Sequence, residues 1–118
     1  MESKHSLYKS FQFAFEGLKE GILKGRNFRI QLIMGIAASL LAYYLGFNRV
    51  EWAILFLTIA SVIILELLNT AVESIVDIVS PEIHHKAKVA KDVAAAAVLV
   101  GSATSLLVGA FLFLSKIN

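Results

Sequence analysis

A chain of 118 residues that is 58% hydrophobic and 17% charged, with a mean hydropathy of +0.74, holds one domain, 1–118, and does not suit a small water-soluble globule. The composition is that of a membrane protein. The net charge is only +2, with Lys and Arg split among short segments between apolar runs, so a nucleic-acid-binding role is excluded and the basic residues read as orientation signals. With no cysteine, disulfide frameworks, thiolate metal sites and cysteine nucleophiles are excluded as well.

Residues 6–26 place Leu7, Phe11, Phe15, Leu18 and Ile22 at helical spacing, with Lys9, Glu16, Lys19, Glu20 and Lys24 on other faces. This pattern predicts an amphipathic helix lying in the interface. Gly17, Gly21 and Gly25 recur every fourth residue, a spacing that lets another backbone approach. No short h-region with a small-residue cleavage site precedes the first apolar run, so no cleavable signal is expected.

Residues 28–47 are long enough to cross a hydrocarbon core of about 30 Å and form the first predicted span. Tyr43 and Tyr44 suit the far headgroup level, and Gly46, Phe47, Asn48 and Arg49 predict a tight turn. The second span is predicted over 52–79, longer than a simple crossing, so its last turns emerge from the bilayer. Ser80 and Pro81 are expected to end it, HHKAKVAK to form a basic connection, and residues 93–115 to form the third span. Four alanines, Gly101, Ser102, Ser105 and Gly109 favour tight packing of that last helix in a compact bundle or oligomer. The fold class is therefore an all-α membrane protein: one surface helix and three transmembrane helices. Counting Lys and Arg by loop puts the amino terminus and the second connection on the cytoplasmic side.

The second span carries an anomaly. In VIILELLNTAVESIVD, residues 62–77, a helix advancing about 100° per residue places Glu66, Asn69, Thr70, Glu73 and Asp77 within an arc of roughly 100°. Ionisable residues at membrane depth are costly enough to mark function by default. Glu66 and Glu73 are about 10 Å apart along the axis, too far to grip one small ion together. They can serve two ends of one reaction instead: the deeper Glu66 as general base for a lipid hydroxyl, the shallower Glu73 holding a divalent cation on phosphates, with Asn69 orienting between them. Lys91 and Asp92 open the third helix beside the emerging end of the second and provide a cation for phosphates next to an acid. Neither the Walker loop G-x-x-x-x-G-K-S/T nor protein-kinase motifs are present. A proton or cation path in a small oligomeric transporter is the competing reading of the same stripe. His85 reads as a solvated loop residue, and Lys86 and Lys88 as headgroup contacts.

ELLNTAVESIVD at 66–77, followed by AKDVAAAAVLV at 90–100, resembles the small prokaryotic diacylglycerol kinases, and the likeness extends to YKSF, GRNFRIQ and VEW. The resemblance implies a homotrimer in the bacterial cytoplasmic membrane, with active sites shared between subunits on the cytoplasmic side. It implies transfer of phosphate from ATP, with Mg2+, to a lipid alcohol. Carried over by position, it makes Glu66 the proton acceptor, Asn69 an active-site partner, Glu73 a metal ligand and Lys91 with Asp92 nucleotide contacts. Glu82, His84 and Lys9 match further nucleotide-proximal positions. VEW and SPEIHHKAK look most like the undecaprenol kinase branch, which makes undecaprenyl phosphate; diacylglycerol kinase, making phosphatidic acid, is the alternative. One position departs from the pattern: where the family usually has a metal-holding glutamate, this chain has Gly25, so either Glu16, Glu20 or Asp77 compensates or the substitution weakens magnesium binding and turnover, and reduced activity is expected. On sequence grounds, Gly25→Glu is expected to lower the magnesium requirement in a metal titration.

Overall fold

The computed structural model describes residues 6–80 and 84–117, which form four helices: α1 (Leu7–Lys24), α2 (Arg26–Leu45), α3 (Arg49–Val79) and α4 (His85–Ile117). The last three are long and apolar enough to cross a membrane. Pro81 and Glu82 lie outside the described residues.

Local chemistry sets each helix end. The Ser6 side chain caps α1 by accepting the Lys9 N–H. At the other end a single extended residue, Gly25 (φ −98°, ψ 104°), closes α1 and opens α2. Its N–H donates to the Gly21 carbonyl at 2.8 Å, and the Arg29 guanidinium donates to the Ile22 and Leu23 carbonyls at 2.8 and 3.0 Å. The last carbonyls of α1, which the helix itself leaves unpaired, are thus satisfied from the next helix. α2 ends at Gly46, whose φ of +74° requires glycine, and the Gly46 and Phe47 N–H groups donate back to Ala42 and Tyr43. Asn48 and Glu51 then form a reciprocal capping box on α3, at 2.9 and 2.8 Å.

The structure moves one expected boundary substantially. HHKAKVAK is not a connecting loop: α4 already begins at His85, eight residues before the predicted span. Alanine and lysine are strong helix formers, and Lys88 pairs with Asp92 one turn on at 2.7 Å, so a segment too polar to enter lipid still continues the helix into water. Similarly, α3 starts at Arg49 because the capping box fixes its first turn, and its 31 residues extend about 46 Å, well beyond a hydrocarbon core of about 30 Å.

α3 and α4 form the principal antiparallel pair, with α2 packed mainly on α3. At one end Ala42, Phe47, Leu55 and Leu112 are buried together, and the Phe47 ring sits 5.0 Å from Phe113 and 6.1 Å from Trp52. Lys116 reaches Glu51 at 3.0 Å beside this cluster. Gly101 packs directly on Leu65, so α4 approaches α3 closely at mid-span. Gly21 is the glycine of the α1 series that meets α3: a Cβ there would lie 3.2 Å from Leu67, whereas Gly17 faces open space. Most other large apolar side chains face outward, as expected where lipid or further subunits replace water.

Asn48→Ala removes the capping box and is expected to cost about 1 kcal/mol, within a range of roughly 0.5–2. Detergent-solubilised protein should show a lower thermal midpoint with unchanged helical content before the transition.

Candidate active site

Among the described residues Glu66 of α3 is the buried charged one, 5% exposed. Its Oε1 and the Oδ1 of Asn69 are both enclosed without a hydrogen-bond partner among the described residues. Thr70 spends its hydroxyl locally, donating to the Glu66 carbonyl at 3.0 Å, and so does not serve the carboxylate. The α1–α2 elbow adjoins this part of α3, where Phe28, 2% exposed, and Leu67 converge over Gly21. Two enclosed acceptors about one turn apart on α3 call for donors, since an unpaired buried polar atom typically costs about 1–3 kcal/mol.

Farther along α3, toward its carboxyl end, the site opens to water. Lys91 of α4 meets Asp77 of α3 at 2.6 Å, and the Glu73 carboxylate adds to the field at the same ammonium. Both members of that pair are well exposed. Glu66, Asn69, Glu73, Asp77 and Lys91 therefore form one line running from the apolar interior to the carboxyl end of α3. Asp92 is drawn elsewhere: it pairs with Lys88 along α4 at 2.7 Å. His84 stands at the start of α4, where its Nδ1 accepts the Lys86 N–H at 3.2 Å, a capping role. No contact joins Lys9, near the exposed start of α1, to the α3 carboxylates among the described residues, and Glu82 lies outside them.

The family model for prokaryotic diacylglycerol kinase matches residues 12–113. The chain belongs to this family of lipid kinases. It is 43% identical over 110 residues to a diacylglycerol kinase of Synechocystis sp., covering 92% of this chain but 63% of that protein. Against the undecaprenol kinase of Bacillus subtilis the identity is 38% over 110 residues, covering 93% of this chain and 89% of the relative. A diacylglycerol kinase of Escherichia coli is 29% identical over 94 residues, with 80% and 77% covered. The chain thus spans under two thirds of the cyanobacterial relative and most of the Bacillus one.

A lipid kinase needs its nucleotide phosphates neutralised, and magnesium is the cation expected from the resemblance. Among the described residues no three His, Asp or Glu side chains converge as a metal cluster. Magnesium fits here on narrower terms, since it commonly takes one or two carboxylates and completes its shell with substrate phosphates and water. Glu73 is an exposed carboxylate of the kind that such a site would use. Glu20 pairs with Lys24 at 3.0 Å and Asp77 with Lys91 at 2.6 Å, both exposed pairs that a cation on phosphates could displace.

Two linkages escaped the reading of the sequence. Arg29 is an orientation charge by position but also holds the elbow, and Gln31 donates to Ser102 at 3.3 Å, tying α2 to α4 inside the apolar region. A lone amide in an apolar run was the available signal for Gln31.

Gly25 is structurally constrained, which alters the test proposed on sequence grounds. A Cβ there would lie 2.8 Å from the Gly21 carbonyl oxygen and 3.0 Å from the Phe28 Cβ, so any side chain must shift backbone. Gly25→Ala is expected to destabilise by roughly 1–3 kcal/mol through overpacking, seen as a lower thermal midpoint. Gly25→Glu carries the same penalty, so its magnesium titration must be referred to Gly25→Ala rather than to the parent chain.

Proposed function

We propose that this protein transfers the terminal phosphoryl group of ATP to the hydroxyl of a membrane lipid alcohol, undecaprenol before diacylglycerol. The observation that carries the reading is the enclosed Glu66 in a helix apolar enough to cross a membrane, its Oε1 without a hydrogen-bond partner among the described residues. A hydroxyl entering from lipid supplies that donor. Glu66 takes the proton as the alcohol oxygen attacks the terminal phosphorus. The bond from that phosphorus to the bridging oxygen breaks, and ADP leaves with the electron pair. Asn69, one turn nearer the carboxyl end of α3, orients the hydroxyl or the phosphoryl oxygen.

Lys91 contacts the phosphates in this scheme, and it must exchange Asp77 for them. That exchange is cheap because both partners are exposed and the pair is screened by solvent. Magnesium held by Glu73 would neutralise phosphate charge as it builds up. Asp92, His84, Glu82 and Lys9 take the outer nucleotide contacts. The site works on the cytoplasmic side of a bacterial membrane, and a homotrimer with shared sites covers apolar faces that one chain leaves open.

The preference for undecaprenol rests on the near full-length match, in both directions, to a relative bearing that name. The higher identity to a diacylglycerol kinase keeps the second lipid in contention.

Purified protein in mixed micelles with labelled ATP and magnesium is expected to phosphorylate undecaprenol faster than diacylglycerol; the reverse order would transfer the assignment to the second lipid. Glu66→Gln should lower transfer by roughly 10²–10⁴-fold with assembled size unchanged. Failure to phosphorylate any alcohol, together with a proton leak in vesicles, would support the transporter instead.

A further inference from the structure

The first turn of α2 carries two cations that the chemistry above leaves unused, Arg26 and Arg29. Both are exposed, and neither forms an ion pair among the described residues. The acid nearest to them in sequence, Glu20, is paired with Lys24 at 3.0 Å, and Gly25, one turn before Arg29, offers no side chain to pair with it. Residues three apart on a helix have their Cβ atoms about 5–6 Å from one another, and like charges so placed repel unless an anion lies between them. Arg29 is moreover held ready. Its Nη1 alone donates to the Ile22 and Leu23 carbonyls, at 2.8 and 3.0 Å, which fixes the side chain against the end of α1 and leaves the other N–H groups of the guanidinium for a ligand. Much of the ordering that binding requires is thus already done.

The side of α2 on which the pair stands selects the ligand. Gly35, packed on Ile59 of α3, and the buried Phe28, seven residues earlier, mark the face of α2 turned into the protein. Arg26 lies about 160° around the helix from Phe28, on the side away from Glu73 and Lys91 of the same chain, so a nucleotide held by those two is not its ligand. Ile30 and Ile33 share that side with Arg26, within an arc of about 60°, and are 43% and 65% exposed. Two guanidiniums at the end of a helix apolar enough to cross a membrane, with an exposed aliphatic stripe leading away from them, match a lipid whose anionic group sits at headgroup level. The charge of the pair narrows the class further. A phosphomonoester carries about −1.5 to −2 near neutral pH and presents three terminal oxygens, enough for two guanidinium forks, whereas a phosphodiester brings a single charge.

We propose that Arg26 and Arg29 form a docking site for the phosphomonoester group of a membrane lipid, whose hydrocarbon lies along Ile30 and Ile33 on the outer side of α2. That this lipid is the enzyme's own product rests on the lipid-kinase reading. The α1–α2 elbow meets α3 at Leu67, the residue after Glu66, so a lipid phosphorylated at Glu66 has a short path to the arginines. The site then retains product at the edge of the chain and slows turnover as product accumulates.

The test is native mass spectrometry of the intact, delipidated protein, titrated without nucleotide or metal with phosphatidic acid, a phosphomonoester, or with phosphatidylglycerol, a phosphodiester, of matched acyl chains. Phosphatidic acid is expected to bind roughly tenfold more tightly than phosphatidylglycerol, and Arg26→Gln and Arg29→Gln are each expected to remove most of that preference. Arg29→Gln also loosens the elbow. Arg26→Gln, whose side chain has no partner among the described residues, removes one cation without that effect and decides alone should the other variant fail to fold. Equal binding of the two phospholipids, or an undiminished preference in Arg26→Gln, would overturn the proposal. So would displacement of phosphatidic acid by excess inorganic phosphate, which marks a site for soluble phosphates rather than for lipid. Phosphate transfer measured separately on the same preparation keeps the two ideas apart: transfer without the lipid preference sinks the docking site and leaves the kinase, and the preference without transfer leaves the site and removes its link to product.

Discussion

A carboxylate in hydrocarbon is tolerated only if something encloses it and something answers it. Glu66 is 5% exposed within its own chain, and its Oε1 finds no hydrogen-bond partner among the described residues. Most of the remaining architecture follows from maintaining that state. α3 must be long enough to hold Glu66 at depth and still present Glu73 and Asp77 near water. α4 must run beside it without a break so that Lys91 arrives at the right level. The elbow at Gly25 and Phe28 must fold α1 and α2 against α3 near Leu67.

The antiparallel register of α3 and α4 is pinned at both ends by ion pairs, Glu51 with Lys116 at one end and Asp77 with Lys91 at the other. The two differ in setting. The first is partly shielded beside the aromatic cluster of Phe47, Trp52 and Phe113, where the capping box also holds Glu51. The second is open to solvent and is easily exchanged. In the proposed scheme Lys91 could leave Asp77 for phosphates while the shielded Glu51–Lys116 end holds the helix pair.

Much of this was legible in the sequence because the bilayer restricts the choices. Long apolar runs must be helices, so the spans and the polar stripe of α3 could be read from periodicity alone. The surface helix could be read from the spacing of Leu7, Phe11, Phe15, Leu18 and Ile22. The start of α4 could not, because a basic, alanine-rich segment looks like a loop to a hydropathy reading although its propensity is helical. Nor could partner choice among charges. Asp92 follows Lys91 in sequence, yet neighbours along a helix point apart, so Lys91 meets Asp77 across the helix pair and Asp92 meets Lys88 one turn back. Gly25 was legible as a departure from the family pattern; that its Cβ would strike the Gly21 carbonyl needed coordinates.

The central claim is that Glu66 waits for a hydroxyl donor from the membrane. Infrared difference spectra, recorded on the protein with and without lipid alcohol and in the absence of nucleotide, address it directly. The claim predicts a shift in a carboxyl band on adding alcohol, and that the shift is missing in Glu66→Gln. Spectra unchanged by alcohol, or a shift that persists in Glu66→Gln, would contradict it.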